Sequence, residues 1–254
     1  MNLFEHNRAA WNQEARNGSE YTIPVTKKEI SAALKGQYRI MLTPHKPVPA
    51  DWLGEIRQKQ VLCLASGGGQ QGPILAAAGA DVTVFDNSDE QLNRDRQAAE
   101  EFHLPIKTVQ GNMQDLGCFS NQSFDLIIHP VSNCFIDDVL PVWKECFRVL
   151  RTPGRLLSGF CNPLIYMIDW EEADQNQRCE IRNAIPYSDL LSFSPQNLQR
   201  YIEEKKTLEF GHSLSDQIQG QIAAGFLIAG FYEDKGEALL DKYSDTYIAT
   251  KAVK

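Results

Sequence analysis

VLCLASGGGQQGPILAAAGADVTVFD, residues 61–86, is the stretch on which the fold of this chain turns. VLCLA (61–65) is a short apolar run that ends in glycines, and GPILAAAGA (72–80) reads as a helix closing on a glycine. VTVFD (82–86) is a second apolar run of strand length. Strand, glycine loop, helix and strand in that order form a βαβ unit, whose two strands lie parallel with a right-handed crossover. Glycines let the backbone pass close to a ligand, and the N-terminus of the helix that follows presents unpaired N–H groups. Gly67, Gly69 and Gly72 satisfy the GxGxxG spacing, and Asp86 ends the second strand fourteen residues after Gly72. A carboxylate there can accept hydrogen bonds from both hydroxyls of an adenosine ribose. Loop and acid together point to an adenosyl cofactor, and the loop alone does not separate NAD from S-adenosylmethionine.

Downstream the alternation continues. SDEQLNRDRQAAEEF (88–102) is a charged helix with Ser88 as its N-cap, IKTVQG (106–111) a third strand and FDLIIHP (124–130) a fourth. Val139, Val142, Trp143, Cys146, Phe147 and Leu150 then form one apolar helical stripe, which stops at the turn Thr152-Pro153-Gly154. RLLSGF (155–160) is a fifth strand. Such alternation implies a parallel sheet covered by helices on both faces. Residues 161–211 break the rhythm with polar, charged and aromatic residues and read as an inserted cap. Regularity returns with a helix near 215–225 and strands FLIAGFYE (226–233) and TYIATKAV (246–253). The stretch between those two strands is too short for a crossover helix, so they form an antiparallel pair. Upstream, residues 1–60 read as helical and irregular, with turn-prone LTPHKPVPADW (42–52) leading into the first strand.

A formal net charge of −8 repels phosphate backbones and argues against DNA or RNA as a partner. The polar N-terminus MNLFEHNRAAWNQEARNG lacks the apolar core of a signal peptide. No run of about eighteen apolar residues is present for a membrane span. The six cysteines are scattered without a CxxC or a paired-histidine spacing, which supplies neither a zinc site nor a disulfide framework and suits a reducing cytoplasm.

In order and spacing, VLCLASGGG, VTVFDNSDEQL, GNMQDL, SFDLIIHP and VLRTPGRLL resemble the class I S-adenosylmethionine-dependent methyltransferase family. The nearest likeness is to bacterial members whose substrates are mostly unassigned. The final strand pair looks like that family's C-terminal hairpin, and the likeness covers residues 55–160 and 212–254. It implies an α/β fold with a doubly wound, mostly parallel seven-stranded, Rossmann-like sheet and an antiparallel C-terminal hairpin. Residues 56–160 and 212–254 would bind S-adenosylmethionine, 1–55 would cover that site, and 161–211 would cap the substrate. Carried over by position, Ala65, Ser66, Gly67, Gly68, Gly69 and Gln70 form the loop beside the methionine part of the cofactor. Asp86 holds the ribose, Asn87 packs against adenine, and Asn112 and Met113 meet the adenine amino group and ring. His129 and Pro130 lie under the sulfonium and face the substrate. Three positions depart from the family pattern: Cys63 stands for a usual acid, Ala65 for the first loop glycine and Asn112 for a usual Asp.

The resemblance implies methyl transfer to a small-molecule acceptor, driven mainly by in-line positioning. A general base is required only for an acceptor that is still protonated. His129 is the candidate base or substrate contact, and its alternative is a histidine that merely lines the pocket. Asn133 and Cys134 either touch the acceptor or hold their turn, and His212 either reaches in from the cap side or caps the late helix. Tyr166, Asp169 and Tyr187 line an acceptor pocket or pack the cap. Trp11, Tyr21, Tyr38 and Arg39 close over the cofactor or pack against the sheet edge. HPVSNCF (129–135) stands where amino-directed nucleic-acid methyltransferases carry NPPY or DPPY, which again favours a small acceptor and no nucleic acid. Two other functions stay open. An NAD(P)-dependent oxidoreductase needs a parallel end to the sheet; Tyr201 and Lys205 match a YxxxK spacing with Ser188 upstream, but the TGxxxGxG loop of short-chain dehydrogenases is missing. A non-catalytic adenosyl-binding protein is suggested by Cys63 and Asn112.

Overall fold

The computed structural model describes the backbone of residues 1–254, and the side chains of all except residues 170, 171 and 174. The elements run α1 (Leu3–Asn17), α2 (Lys27–Ala33), α3 (Ala50–Leu53), β1 (Gln60–Leu64), α4 (Gln71–Ala77), β2 (Asp81–Asp86) and α5 (Asp89–Phe102). They continue with β3 (Ile106–Gln110), β4 (Phe124–His129), α6 (Leu140–Val149), β5 (Leu150–Cys161), α7 (Trp170–Asn176), β6 (Tyr187–Ser188), α8 (Asp189–Ser192) and α9 (Pro195–Glu203). The last are β7 (Phe210–Gly211), α10 (Gly220–Ala224), β8 (Leu227–Asp234) and β9 (Tyr247–Val253).

Seven strands form one sheet in the order β3-β2-β1-β4-β5-β9-β8. β1 is parallel to both β2 and β4, and β9 is antiparallel to both β5 and β8. The doubly wound sheet with an antiparallel end is therefore present as the resemblance implies. Strand order reverses between β1 and β4, and the C-terminal ends of those two strands open the crevice where such folds bind ligands.

β1 shows why an unbroken apolar run was needed. Val61 and Cys63 point into a core shared with Leu75 and Ala76 of α4, Leu92 of α5 and Trp52 of α3. Leu62 and Leu64 point the other way, into Val142, Trp143, Cys146 and Val149 of α6. With both faces covered, alternation disappears and every side chain of VLCL is apolar. Two boundaries differ from the sequence reading. β5 begins directly at Leu150, and its pairing with β4 jumps from Phe124–Leu150 to Leu126–Arg155. Residues 151–154 bulge there, because Pro153 has no N–H to give the ladder. The late helix opens with a wide turn over Ser215–Gln219 before α10.

Two segments lie over the C-terminal strand ends. Asn7 of α1 is buried and donates through Nδ2 to the carbonyls of Phe135 (2.9 Å) and Leu208 (3.0 Å), while its Oδ1 accepts from Leu208 N (2.9 Å). α1 is thereby clamped to the loop after β4 and to the strand of residues leading into β7. Asn12 Oδ1 accepts from Ser88 Oγ at 2.7 Å, and the Ala15 carbonyl accepts from Arg94. Between residues 161 and 211 no strand joins the main sheet; β6 and β7 make a separate two-stranded pair. No helix among the described residues is long and apolar enough to cross a membrane.

Candidate active site

A cavity of about 1620 Å³ opens at the C-terminal ends of β1, β2 and β4. One end is lined by the loop after β1 and by residues at the ends of β2 and β3. Ala65, at the exit of β1, has φ 46° and donates its N–H to the Phe85 carbonyl at 2.7 Å. That turn throws Ser66 and Gly67 over the end of β2. Gly67 N donates to Asp86 Oδ2 at 2.9 Å, and Ser88 N donates to Asp86 Oδ1 at 2.9 Å. Desolvation by burial raises the Asp86 carboxyl above its ordinary value, against the pull of those N–H groups. A Cβ on residue 67 would stand 2.8 Å from Gln91 Cβ and 3.1 Å from the Asp86 carboxyl carbon, so the position accepts only glycine.

The loop is held from behind by Asp95, which the sequence reading missed. Its carboxylate is wholly buried, and Oδ2 accepts from Gly68 N at 3.0 Å. Burial raises its pKa to about 7, opposed by the amides of Gly69 and Gly68. Asp95 also lies close enough to Cys63 to push that thiol further up, after burial itself. Asp95 does not replace the acid missing from position 63, because it does not line the cavity. The signal was available: Gln91, Leu92, Asp95 and Ala98 form the buried face of α5, and a charge in such a stripe needs a partner.

Of the residues expected at the cofactor, Ala65, Ser66, Gly67, Gln70, Asp86, Asn87, Asn112, Met113 and Pro130 all line the cavity. Gly68 and Gly69 do not; their N–H and C=O groups face Asp95, Gln91 and Val25. Gln70 Nε2 reaches the carbonyls of Glu20 and Ile23, both at 3.2 Å, and ties the N-terminal segment to the loop. Asn112 Oδ1 accepts from Gln114 N at 3.0 Å.

His129 corrects an expectation. Its ring is fully buried and turned away from the cavity: Nδ1 donates to the Leu64 carbonyl at 2.9 Å and Nε2 pairs with the Asn133 side-chain amide at 2.7 Å. Burial lowers its pKa, and with both ring nitrogens engaged by Leu64 and Asn133 it has no route to an acceptor. Asn133 is equally spent, its amide joined to Gln217 at 3.1 Å, and His212 donates from Nε2 to the Asn133 carbonyl at 3.0 Å. These three brace the loop after β4 from below, and none lines the cavity. Asp169 caps α7 by accepting from Glu172 N at 3.0 Å, and Tyr38 packs into the core beside α2 and α4.

The other end of the cavity is walled by side chains. Cys134, Cys161, Tyr166, Glu209, Tyr247 and Tyr21 meet there from five separate stretches of the chain. Tyr166 OH donates to Glu209 Oε2 at 2.8 Å and lies 3.7 Å from Cys161 Sγ. Its ring stacks on Tyr187 at 5.4 Å, and Tyr187 OH donates to Asp189 Oδ1 at 2.7 Å. Burial pushes Glu209 up to about 7. Nothing in the sequence marked Glu209; it sits in LEFG beside a charged stretch and looks like surface. Trp11 and Arg39 also line the cavity. Tyr201, of the YxxxK spacing, lies on α9 against Phe193 and Lys206.

Residues 62–158 match a family model described as a methyltransferase domain. Over 252 residues the chain is 52% identical to the uncharacterized methyltransferase YbaJ of Bacillus subtilis (strain 168), spanning 99% of this chain and 98% of that one. Two solved structures share its fold. Geranyl diphosphate C-methyltransferase from Streptomyces coelicolor A3(2) was solved with Mg2+, geranyl diphosphate and S-adenosyl-L-homocysteine. It superposes with a TM-score of 0.61 at 13% identity, over 100% of this chain and 98% of that one. 1,6-Didemethyltoxoflavin-N1-methyltransferase from Burkholderia thailandensis, solved with 1,6-didemethyltoxoflavin and S-adenosylhomocysteine, gives 0.60 at 13% identity, over 98% and 88%.

Proposed function

This chain belongs to the class I S-adenosylmethionine-dependent methyltransferases, and from that premise we propose that it methylates a small molecule inside the cavity at the strand ends. The observation that carries this reading is the continuity of that cavity from the glycine loop to the Tyr166–Glu209 pair. Ligand pockets are commonly about 300–1,000 Å³, so about 1620 Å³ has room for a cofactor and an acceptor side by side.

In this reading the cofactor lies along Ala65, Ser66 and Gly67, with its ribose on Asp86 and its adenine between Asn87, Asn112 and Met113. Two features of the loop end suit it. Asp86 oxygens accept only backbone N–H groups and retain lone pairs, and Gln91 Oε1 is buried without a partner. S-adenosylmethionine supplies a methyl group already activated on sulfonium. The protein then has to position the acceptor and exclude water, which Trp11, Tyr21 and the tie between Gln70 and the N-terminal segment do. Residues 1–55 serve as cover, 56–160 and 212–254 as the cofactor-binding domain, and 161–211 as the substrate cap.

A small acceptor is supported by the acidic lining, the net charge of −8 and the small ligands named in the two solved neighbours. The antiparallel β9 disfavours a nicotinamide enzyme, whose second nucleotide site would need the parallel end. The side-chain-lined end beyond the loop disfavours a purely cofactor-binding protein. Unpaired cysteines at all six positions suit the cytoplasm.

The test is thermal unfolding with S-adenosylmethionine, S-adenosylhomocysteine, NAD and NADP, each at millimolar concentration. A ligand at about a hundred times its Kd stabilises by about 2.7 kcal/mol. A shift with the two adenosyl-sulfur compounds alone is expected; a shift with NAD or NADP alone would overturn the reading. Asp86→Ala should weaken S-adenosylhomocysteine by about 1.5–3 kcal/mol in calorimetry, and unchanged affinity would remove the ribose from Asp86.

A further inference from the structure

The end of the cavity away from the glycine loop has a charge and a composition that select among acceptors. Its carboxylates include Glu209, Glu237 and Asp241, and Arg39 is the one cationic side chain among the described residues that line the cavity. Asp241 is already spent on Gly236 N, Ala238 N and Thr246 Oγ1. Glu237 is exposed at the mouth. Glu209 is the remaining one: it lines the cavity and takes one hydrogen bond, from Tyr166. The titratable groups that face it are Tyr166, Tyr187, Tyr247, Cys134 and Asp189, with no lysine or arginine among the described residues. Buried carboxylates are ordinarily paired with a cation. Here the place for the cation is the cavity itself, between Glu209 and the tyrosines Tyr21, Tyr166 and Tyr247.

Resting on the methyltransferase reading, we propose that the acceptor is a cationic amine and that Glu209 both binds its ammonium group and removes the proton that masks the nucleophilic nitrogen. The ammonium N–H proton passes to a Glu209 oxygen, and the N–H bonding pair becomes the nitrogen lone pair. That pair forms the new N–C bond as the C–S bond breaks with its electrons going to sulfur, and the positive charge moves from sulfonium to the methylated nitrogen. A carboxyl poised near neutrality is suited to that exchange, and Tyr166 positions it.

The test uses the full chain loaded with S-adenosylhomocysteine and follows probe binding by calorimetry at pH 8. The probes are 2-phenylethylamine and hexylamine, against 2-phenylethanol, hexanol and 3-phenylpropionate. At least one amine should bind tenfold or more tighter than its alcohol, and the carboxylate weaker than both. Glu209→Gln should bring amine and alcohol within threefold of each other while leaving S-adenosylhomocysteine affinity unchanged. Lowering the pH from 8 to 6 should cost the wild type fivefold or more in amine affinity as Glu209 takes up a proton, and leave Glu209→Gln flat. Tyr166→Phe, which removes a hydrogen bond that favours the carboxylate, should move that midpoint upward. Amines no tighter than alcohols, including no binding by any probe, or a preference that survives Glu209→Gln, overturns the proposal. Failure of S-adenosylhomocysteine to bind the wild type would instead overturn the reading beneath it.

Discussion

Two carboxyls are raised to about 7 by burial, Asp95 behind the glycine loop and Glu209 at the cap end of the cavity, and their surroundings are opposite. Asp95 is sealed behind the loop, accepts from Gly68 N and never reaches the cavity. Glu209 opens into the cavity and is met by a phenol. The same perturbation therefore marks a strut in one region and a chemical group in the other, and what separates them is the partner geometry. The walls differ as well: the loop after β1 and the neighbouring strand ends on one side, side chains from scattered segments on the other.

The sharpest way to break the contrast is at the loop wall. Gly67→Val would drive a side chain into Gln91 and Asp86. It should lower S-adenosylhomocysteine affinity at least about a hundredfold, or about 2.8 kcal/mol, in calorimetry. Retained affinity would mean the loop is not the cofactor's wall. A step smaller is Asn7→Ala, which leaves the Leu208 N–H and the carbonyls of Leu208 and Phe135 without their partner. The loss in denaturant unfolding should be about 2 kcal/mol, and an unchanged midpoint would remove α1 as a clamp over the side-chain wall.

The smallest effect is a slope. The Asp95 carboxyl is raised from an ordinary carboxylate value of about 3.9 to about 7, so across that window the folded chain holds a proton the unfolded chain has released. Stability from this group is full at low pH and is lost as pH rises towards 7. Asp95→Asn cannot titrate, so the variant's unfolding free energy relative to wild type should climb between pH 5 and pH 7 and level off above. Parallel pH profiles would show that Asp95 is an ordinary acid and that the contrast with Glu209 is misdrawn.

The legible part of this protein is what local sequence encodes. The apolar run of β1, the left-handed turn at Ala65 through Gly69, Asp86 at the end of β2 and Ser88 as the cap of α5 are set by neighbours a few residues away. His129 misled because its position at a strand end was readable while its ring orientation was not. Whether a histidine at that place faces a ligand or the Leu64 carbonyl depends on a strand sixty-five residues earlier. Asn7 and Glu209 were invisible for the same reason: each is polar, and each finds its partner only in chain more than a hundred or about forty residues away.

Sequence by itself determined the parallel strands and the antiparallel final pair, which follow from apolar runs and chain order, properties of short windows; the doubly wound sheet followed from the family resemblance. Tertiary structure alone decided the lining of the cavity's far end. Burial and partnership of polar side chains are set by what folds over them, and here that cover comes from α1, the cap and the C-terminal hairpin together.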